Sequence, residues 1–251
     1  MTKINLIPKE RIAKVIAHRG VCSRRAAEVL ISEGRVCVNG KTLSSPACLV
    51  GPEDRISIDG ESVIKQEPPR LWCFYKPKGL LTTHKDPEGR PTVFSYLSDR
   101  DETLPRLISI GRLDLNSEGL LLLSSSGTFA HYMELPKTGW IRKYRVRVFG
   151  TLKDTMLQEI EKGIKIDGIT YKADTVTLDS RHHQNSWLTL SLRTGKNREI
   201  RHLFEYFGLQ VNRLIRVSYG PFVLGDLKVG ELREVTPSKL KTYFPKDILS
   251  S

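Results

Sequence analysis

The chain has 251 residues, 39% of them hydrophobic, enough to pack one large domain or two unequal ones. A formal net charge of +12 favours a polyanionic partner, either nucleic acid or an anionic membrane surface. The longest leucine run, 120–123, falls far short of the roughly 18 residues of a spanning helix, and the opening MTKINLIPKERIAK lacks the apolar core of a signal peptide, so a cytoplasmic protein without membrane attachment is expected.

Residues 1–64 read as a small module. Ile12, Val15 and Ile16 recur at helical spacing between Arg11 and Arg19, and Gly20 can stop that helix. Ser23 suits the N-cap of a second helix, with Ala26, Ala27, Leu30 and Ile31 as its buried stripe and Gly34 as its stop. The strand-like 36–38 then meets Asn39-Gly40, a pair that favours a two-residue hairpin turn. Residues 56–58, Asp59-Gly60 and Val63-Ile64 predict a second hairpin. Residues 65–70, KQEPPR, form a stiff polar linker.

From residue 71 the pattern changes to short strands with helices between them. Strands are expected at 71–75, 80–83, 120–124, 144–149, 175–179, 188–192 and 211–217. Helices are expected at 92–97, 128–134, 152–162, 197–207 and 238–243, with Gly163 and Gly208 as stops. The predicted fold class is α+β, residues 71–251 forming a mixed or antiparallel sheet behind the small unit. Cys22, Cys37, Cys48 and Cys73 contain no C-x-x-C pair, so reduced and mostly buried thiols are expected, with no metal. His182 and His183, neighbours on a strand, point to opposite faces and do not suit a shared ion.

Basic residues concentrate at the amino end. Residues 1–41 hold nine Lys and Arg against three acids, an excess of six that is half the whole chain's. Arg24 and Arg25 fall in the first turn of the second helix, where each cation opposes the helix dipole by roughly 0.3–1 kcal/mol. A phosphate bound there would reverse that sign. The alternative is a solvated basic face. The stretch RIAKVIAHRGVCSRRAAEVLISEGRVCVNGK resembles the S4 RNA-binding domain, through Ser23-Arg24, Gly34-Arg35-Val36 and Val38-Asn39-Gly40. The resemblance implies shape-based binding of folded RNA. Arg11, Lys14, Ser23, Arg24, Arg25, Arg35, Asn39 and Lys41 are the contacts it suggests.

Three patches mark the larger unit. Tyr75-Lys76-Pro77-Lys78-Gly79-Leu80 is a strand running into a turn with two cations, and by itself reads as an ordinary hairpin turn. Gly111-Arg112-Leu113-Asp114-Leu115-Asn116-Ser117-Glu118-Gly119 is a charged loop between apolar segments. An aspartate in such a loop is most often a turn former or a helix cap. Arg193-Thr194-Gly195-Lys196-Asn197-Arg198-Glu199-Ile200-Arg201 places cations at a helix start, with Arg198 and Arg201 on one face. Arg201 has two possible anionic partners besides Glu205: an RNA phosphate, or a carboxylate such as Asp114.

Taken in order, YKPKGLLTT, GRLDLNSEGLLLLSSSG and RTGKNREIRHLFEYFGLQVNRLIRVSYG resemble the blocks of the ribosomal RNA pseudouridine synthases that carry an S4 domain in front. The resemblance covers nearly the whole chain; the stretch 133–140 is less typical. It implies that Asp114 is the catalytic aspartate and that Arg201 pairs with it. It further implies that Tyr144 packs on the target base and can serve as a base, and that Arg112 helps hold the opened RNA. Lys76, Lys78, Lys196 and Arg198 are the RNA contacts expected from the turn and helix start.

Uridine-to-pseudouridine conversion is an isomerisation, so no cofactor or metal is expected, in keeping with a sequence that has no dinucleotide or P-loop glycine motif. A carboxylate can attack the ribose or base or stabilise charge at C1′. A neighbouring arginine keeps it ionised and aimed, and an aromatic face replaces the stacking that a flipped base loses. The implied partner is ribosomal RNA or a ribosomal assembly intermediate, with large-subunit RNA favoured over small and the protein a monomer. A non-catalytic ribosome-assembly factor is the alternative, but it would have no use for a carboxylate facing an anionic ligand. An RNA glycosidase would need a second acid, for which Glu118 is the nearby candidate.

Overall fold

A computed structural model describes residues 9–63 and 68–249; residues 65–67 of the expected linker, and Ile64, lie outside the described residues. The small unit begins with β1 (Glu10–Arg11), α1 (Ile12–His18) and α2 (Arg24–Ser32). It continues with β2 (Val36–Val38), β3 (Lys41–Thr42), β4 (Leu49–Val50), β5 (Ile56–Ile58) and β6 (Glu61–Ser62). Ser23 caps α2, its hydroxyl accepting the Ala26 N–H at 3.1 Å. Asn39 and Gly40 take φ of 52° and 81°, and Asp59 and Gly60 take 52° and 85°, the paired left-handed geometry of tight hairpins. The resulting antiparallel order is β3-β2-β5-β6. Ile12, Ile16, Ala27, Ile31, Val36, Val50 and Ile56 close the core beneath it, with Val15 and Leu30 packed partly against it.

The larger unit runs β7 (Leu71–Lys76), α3 (Val93–Ser98), β8 (Ile108–Ile110), β9 (Glu118–Ser124), α4 (Gly127–Glu134), β10 (Arg142–Phe149) and α5 (Asp154–Lys162). Then come β11 (Ile164–Ile166), β12 (Ile169–Tyr171), β13 (Thr175–His182), β14 (Asn185–Leu192), α6 (Glu199–Glu205) and β15 (Gln210–Tyr219). The chain closes with β16 (Phe222–Val223), β17 (Leu232–Glu234), α7 (Pro237–Tyr243) and α8 (Lys246–Leu249). The central sheet has the order β13-β14-β10-β15-β9-β7-β17, with β8 on β9 and β16 on β15. The β9–β15 pairing is parallel and the others antiparallel. The fold is therefore α+β with a mixed sheet. Strand β9 is buried along its whole length because both its faces are covered, which is why 120–123 is continuous leucine and not an alternating pattern.

Gly119 makes the parallel pairing possible. Its φ is +103°, and a Cβ there would collide with the Arg216 carbonyl and come within 2.8 Å of the Arg216 nitrogen. The two units touch where the His18 ring on α1 meets the Thr128 hydroxyl on α4, at 3.2 and 3.3 Å from its two nitrogens.

Several expectations need correction. Residues 80–83 form no strand; Leu81 makes one bridge to Thr92, and the Thr82 hydroxyl turns toward residue 113. The 197–207 helix starts only at Glu199, because Arg198 has φ of 48° and stands outside the helical register. His182 ends β13 and His183 takes φ of 51° in the turn to β14, so they are not neighbours within a strand. Only Cys73 is buried; Cys22, Cys37 and Cys48 are half-buried. The short strands β8, β11, β12, β16 and β17 went unread, being too brief to show a period of two.

Candidate active site

The loop between β8 and β9 carries Asp114, and its backbone is held carbonyl by carbonyl. The Thr82 hydroxyl donates to Leu113 O at 2.8 Å and accepts the Leu113 N–H at 3.3 Å. Asp114 O accepts the Ser117 N–H at 3.0 Å and the Lys76 ammonium at 3.2 Å. Leu115 O accepts the Gly79 N–H at 2.9 Å, Asn116 O accepts Arg201 Nη2 at 3.4 Å, and Ser117 O accepts Lys76 Nζ at 3.0 Å. At the loop's start, Glu134 Oε1 takes the Gly111 N–H at 2.5 Å. Five successive carbonyls are thus satisfied, by Lys76 and Gly79 of the first patch, by Thr82 just beyond it and by Arg201. The first and third sequence patches act here as the mould of the second.

Asp114 lines a cleft of about 720 Å³ together with Arg112, Tyr144 and residues 193–200. Arg112 is exposed and Tyr144 half-buried. The Tyr144 ring packs between the cluster that contains Leu190 and the one that contains Leu113. The cleft wall brings six cations (Arg112, Arg142, Arg193, Lys196, Arg198, Arg216) against three carboxylates, Asp114, Glu134 and Glu199. Two of those carboxylates are engaged by the fold: Glu134 by Gly111, and the buried Glu199 by the Thr194 hydroxyl at 2.6 Å and the Lys196 N–H at 3.2 Å. Asp114 is left facing a basic surface suited to phosphates.

Arg201 lies beside this cleft and does not line it. Its Nη1 donates to Val211 O at 3.1 Å, and Nη2 reaches the Asp114 loop at Asn116. Among the described residues no direct ion pair joins Arg201 to Asp114, so the expected contact is replaced by hydrogen bonds to backbone and by attraction through space. Burial lowers the guanidinium's pKa, as does the like charge of Arg198, while Asp114 and Glu205 pull it back up. Glu205 pairs instead with Arg198, at 3.8 Å.

Lys76 is not a surface cation. It is wholly buried, because strand alternation turns it inward and its ammonium donates to three carbonyls: Pro77, Asp114 and Ser117. Burial lowers its pKa to about 8 from 10.5, against the pull of Asp114 and Glu118. Lys78 stays exposed but sits 3.8 Å from Glu118. Glu118 itself is buried and clasped by Arg213 at 2.8 and 3.1 Å, away from the cleft lining, so it offers no second acid beside Asp114. The Lys196 ammonium donates to Thr170 O.

In the small unit, Arg11, Arg24, Arg25 and Lys41 are exposed. Ser23 and Asn39 serve the fold: one caps α2, the other bridges Asp54 at 2.7 Å and the Arg55 N–H at 2.9 Å. Arg35 is ion-paired with Asp59 at 2.6 Å and Lys14 with Glu10. Sequence reasoning missed Thr82, Gly79, Glu134, Glu199 and Arg142. Each acts through tertiary contacts that no local spacing announces.

A family model described as RNA pseudouridylate synthase matches residues 70–206, and one described as S4 domain matches residues 10–56. A protein of Rickettsia felis named as an uncharacterised RNA pseudouridine synthase is 50% identical over 226 residues, covering 90% of this chain and 96% of that one. The ribosomal large subunit pseudouridine synthase B of Bacillus subtilis is 38% identical over 235 residues, covering 92% and 94%. A crystal structure of a pseudouridylate synthase superposes with a TM-score of 0.62 at 26% identity, covering 92% of this chain and 98% of that one.

Proposed function

Because this chain belongs to the RNA pseudouridylate synthase family and carries an S4 domain ahead of the catalytic one, we propose that it isomerises a specific uridine of ribosomal RNA, large-subunit RNA before small. The observation that carries this reading is Asp114: a carboxylate lining a basic cleft on a loop whose backbone is immobilised by both neighbouring motifs. The name of the Bacillus subtilis relative supports the large-subunit preference. A purely RNA-binding assembly factor would gain nothing from such a residue, which repels phosphate.

In this reading residues 1–64 grip folded RNA and residues 71–251 perform the chemistry, as a monomer acting on ribosomal RNA or an assembly intermediate. The target base leaves its stack and enters the cleft, where the Tyr144 face replaces lost stacking. Asp114 promotes cleavage of N1–C1′, by attack or by stabilising the charge at C1′. The uracil turns, C5 bonds to C1′, the C5 proton is lost and N1 regains one, so atoms balance without a redox partner. Arg201 holds the Asp114 loop and adds positive potential behind it; Arg112, Lys196 and Arg198 meet phosphates at the rim.

The test is a map of pseudouridines in ribosomal RNA from cells with and without this gene. One or a few positions should lose the modification and regain it when the wild-type gene, but not an Asp114→Asn copy, is restored. Identical maps in both strains would overturn the proposal.

A further inference from the structure

Strand β10 presents two faces. Tyr144, Val146 and Val148 turn toward the core beneath α5 and α6, and Lys143, Arg145 and Arg147 turn the other way. In the ladder, Arg147 is flanked by Trp187 of β14 and Arg213 of β15. The guanidinium carbons of Arg145, Arg147 and Arg213 lie 4.9, 6.0 and 6.0 Å from the Trp187 ring centroid. Of these residues Tyr144 alone lines the cleft around Asp114; Lys143, Arg145, Arg147, Trp187 and Arg213 do not.

Three like charges around one indole repel one another, and a face built only for stability would balance them. The balance here is incomplete. Asp179 sits 3.4 Å from Arg145, and Glu118 is committed to Arg213. Arg147 and Lys143 have no ion pair among the described residues, and Lys143 is exposed. Stacking on an aromatic ring restricts an arginine's rotamers while leaving its N–H edge free, which prepares it for phosphate oxygens. A polyanion supplies what the protein omits.

Resting on the reading of ribosomal RNA as substrate, we infer that this second sheet face binds the phosphate backbone of an RNA segment outside the stem that carries the target uridine. The sheet separates the two surfaces, so a short stem-loop seated in the cleft does not reach Arg145 and Arg147, whereas a longer RNA wraps to them. The face adds affinity and discriminates for extended RNA. It takes no part in the isomerisation.

The experiment uses the full chain and two deproteinised probes: a stem-loop around the mapped uridine, and a long transcript of the surrounding ribosomal RNA. The Arg145→Gln/Arg147→Gln variant leaves Arg213 in place, because the buried Glu118 depends on it. On the long transcript the slope of log K against log salt should flatten by about 1–2, two phosphate contacts at roughly 0.7–0.9 each. On the stem-loop, both the slope and the saturating single-turnover rate should match wild type. The Arg145→Lys/Arg147→Lys variant should restore most of the slope on the long transcript, and thermal unfolding of both variants should confirm an intact fold.

An unchanged slope on the long transcript overturns the inference, as does an equal loss on both probes. A defect seen only with protein-bearing ribosomal particles also overturns it, placing an acidic protein on this face. If the wild-type enzyme isomerises no uridine in either probe, it is the proposed function that fails.

Discussion

The buried ammonium of Lys76 donates to the main-chain oxygen of Asp114 across 3.2 Å and to that of Ser117 across 3.0 Å. A cation on the adjacent strand β7 thereby sets the turn that aims the carboxylate. Its charge has to be satisfied by backbone dipoles, because among the described residues no ion pair reaches it. Substituting Lys76→Met should leave the Pro77 and Ser117 oxygens without this donor and let the loop relax. The single-turnover rate should fall by one to two orders of magnitude while RNA affinity stays near wild type. A rate equal to wild type would show that the loop holds itself.

The same residue predicts a pH signature. Burial holds the Lys76 pKa at about 8, below its ordinary 10.5, so between those values the unfolded chain binds the proton that the folded one releases. Stability therefore rises with pH across that window, relative to Lys76→Met. The rate goes the other way, because the neutral amine has one donor fewer for three carbonyls. Measured from pH 7 to 10, wild-type single-turnover rates should bend downward near 8 where the variant's do not. Parallel profiles would remove Lys76 from control of the loop.

Asp114→Asn keeps shape and removes charge. Pseudouridine formation should vanish, and RNA binding should hold or tighten, since a negative charge beside phosphates is gone. Substantial turnover by this variant would take the reaction away from Asp114.

Arg201 spans two carbonyls, Val211 at 3.1 Å and Asn116 at 3.4 Å, with one planar fork. Lysine retains the charge but cannot reach both. Arg201→Lys should lower the single-turnover rate far more than it weakens RNA binding. A normal rate with weak binding would put Arg201 on the RNA backbone.

Gly119 lies against the Arg216 backbone at a φ of +103°. Gly119→Ala should destabilise by about 1–3 kcal/mol through overpacking, more with the backbone strain, and lower Tm by several degrees in a thermal melt. An unaltered Tm would mean that the β9–β15 pairing shifts freely.

Much of this protein was legible in its sequence. The helical spacing of Ile12 and Ile16, the Ser23 cap and the Asn39-Gly40 turn each act within a few residues, and the small unit follows them closely. The run of leucines at 120–123 marked a strand, and the family resemblance carried by Gly-Arg-Leu-Asp followed by Ser-Glu-Gly-Leu pointed to the loop that lines the cleft. The helices, cap, turn and strand depend on local backbone preference and on burial, both of which residue spacing records directly.

What only the tertiary structure decided concerns partners distant in the chain. Lys76 reads from sequence as a turn cation for RNA, yet the β7–β9 pairing turns it inward beneath Asp114. Thr82 reads as a strand residue, yet its hydroxyl has to serve both polar groups of Leu113. Arg201 reads as the partner of the Asp114 carboxylate, yet it holds the loop's backbone instead. The physical reason is common to all three. A buried polar group takes whichever partner the packing of strands brings within hydrogen-bond reach, and that choice is settled by contacts dozens of residues apart, where spacing along the chain carries no signal.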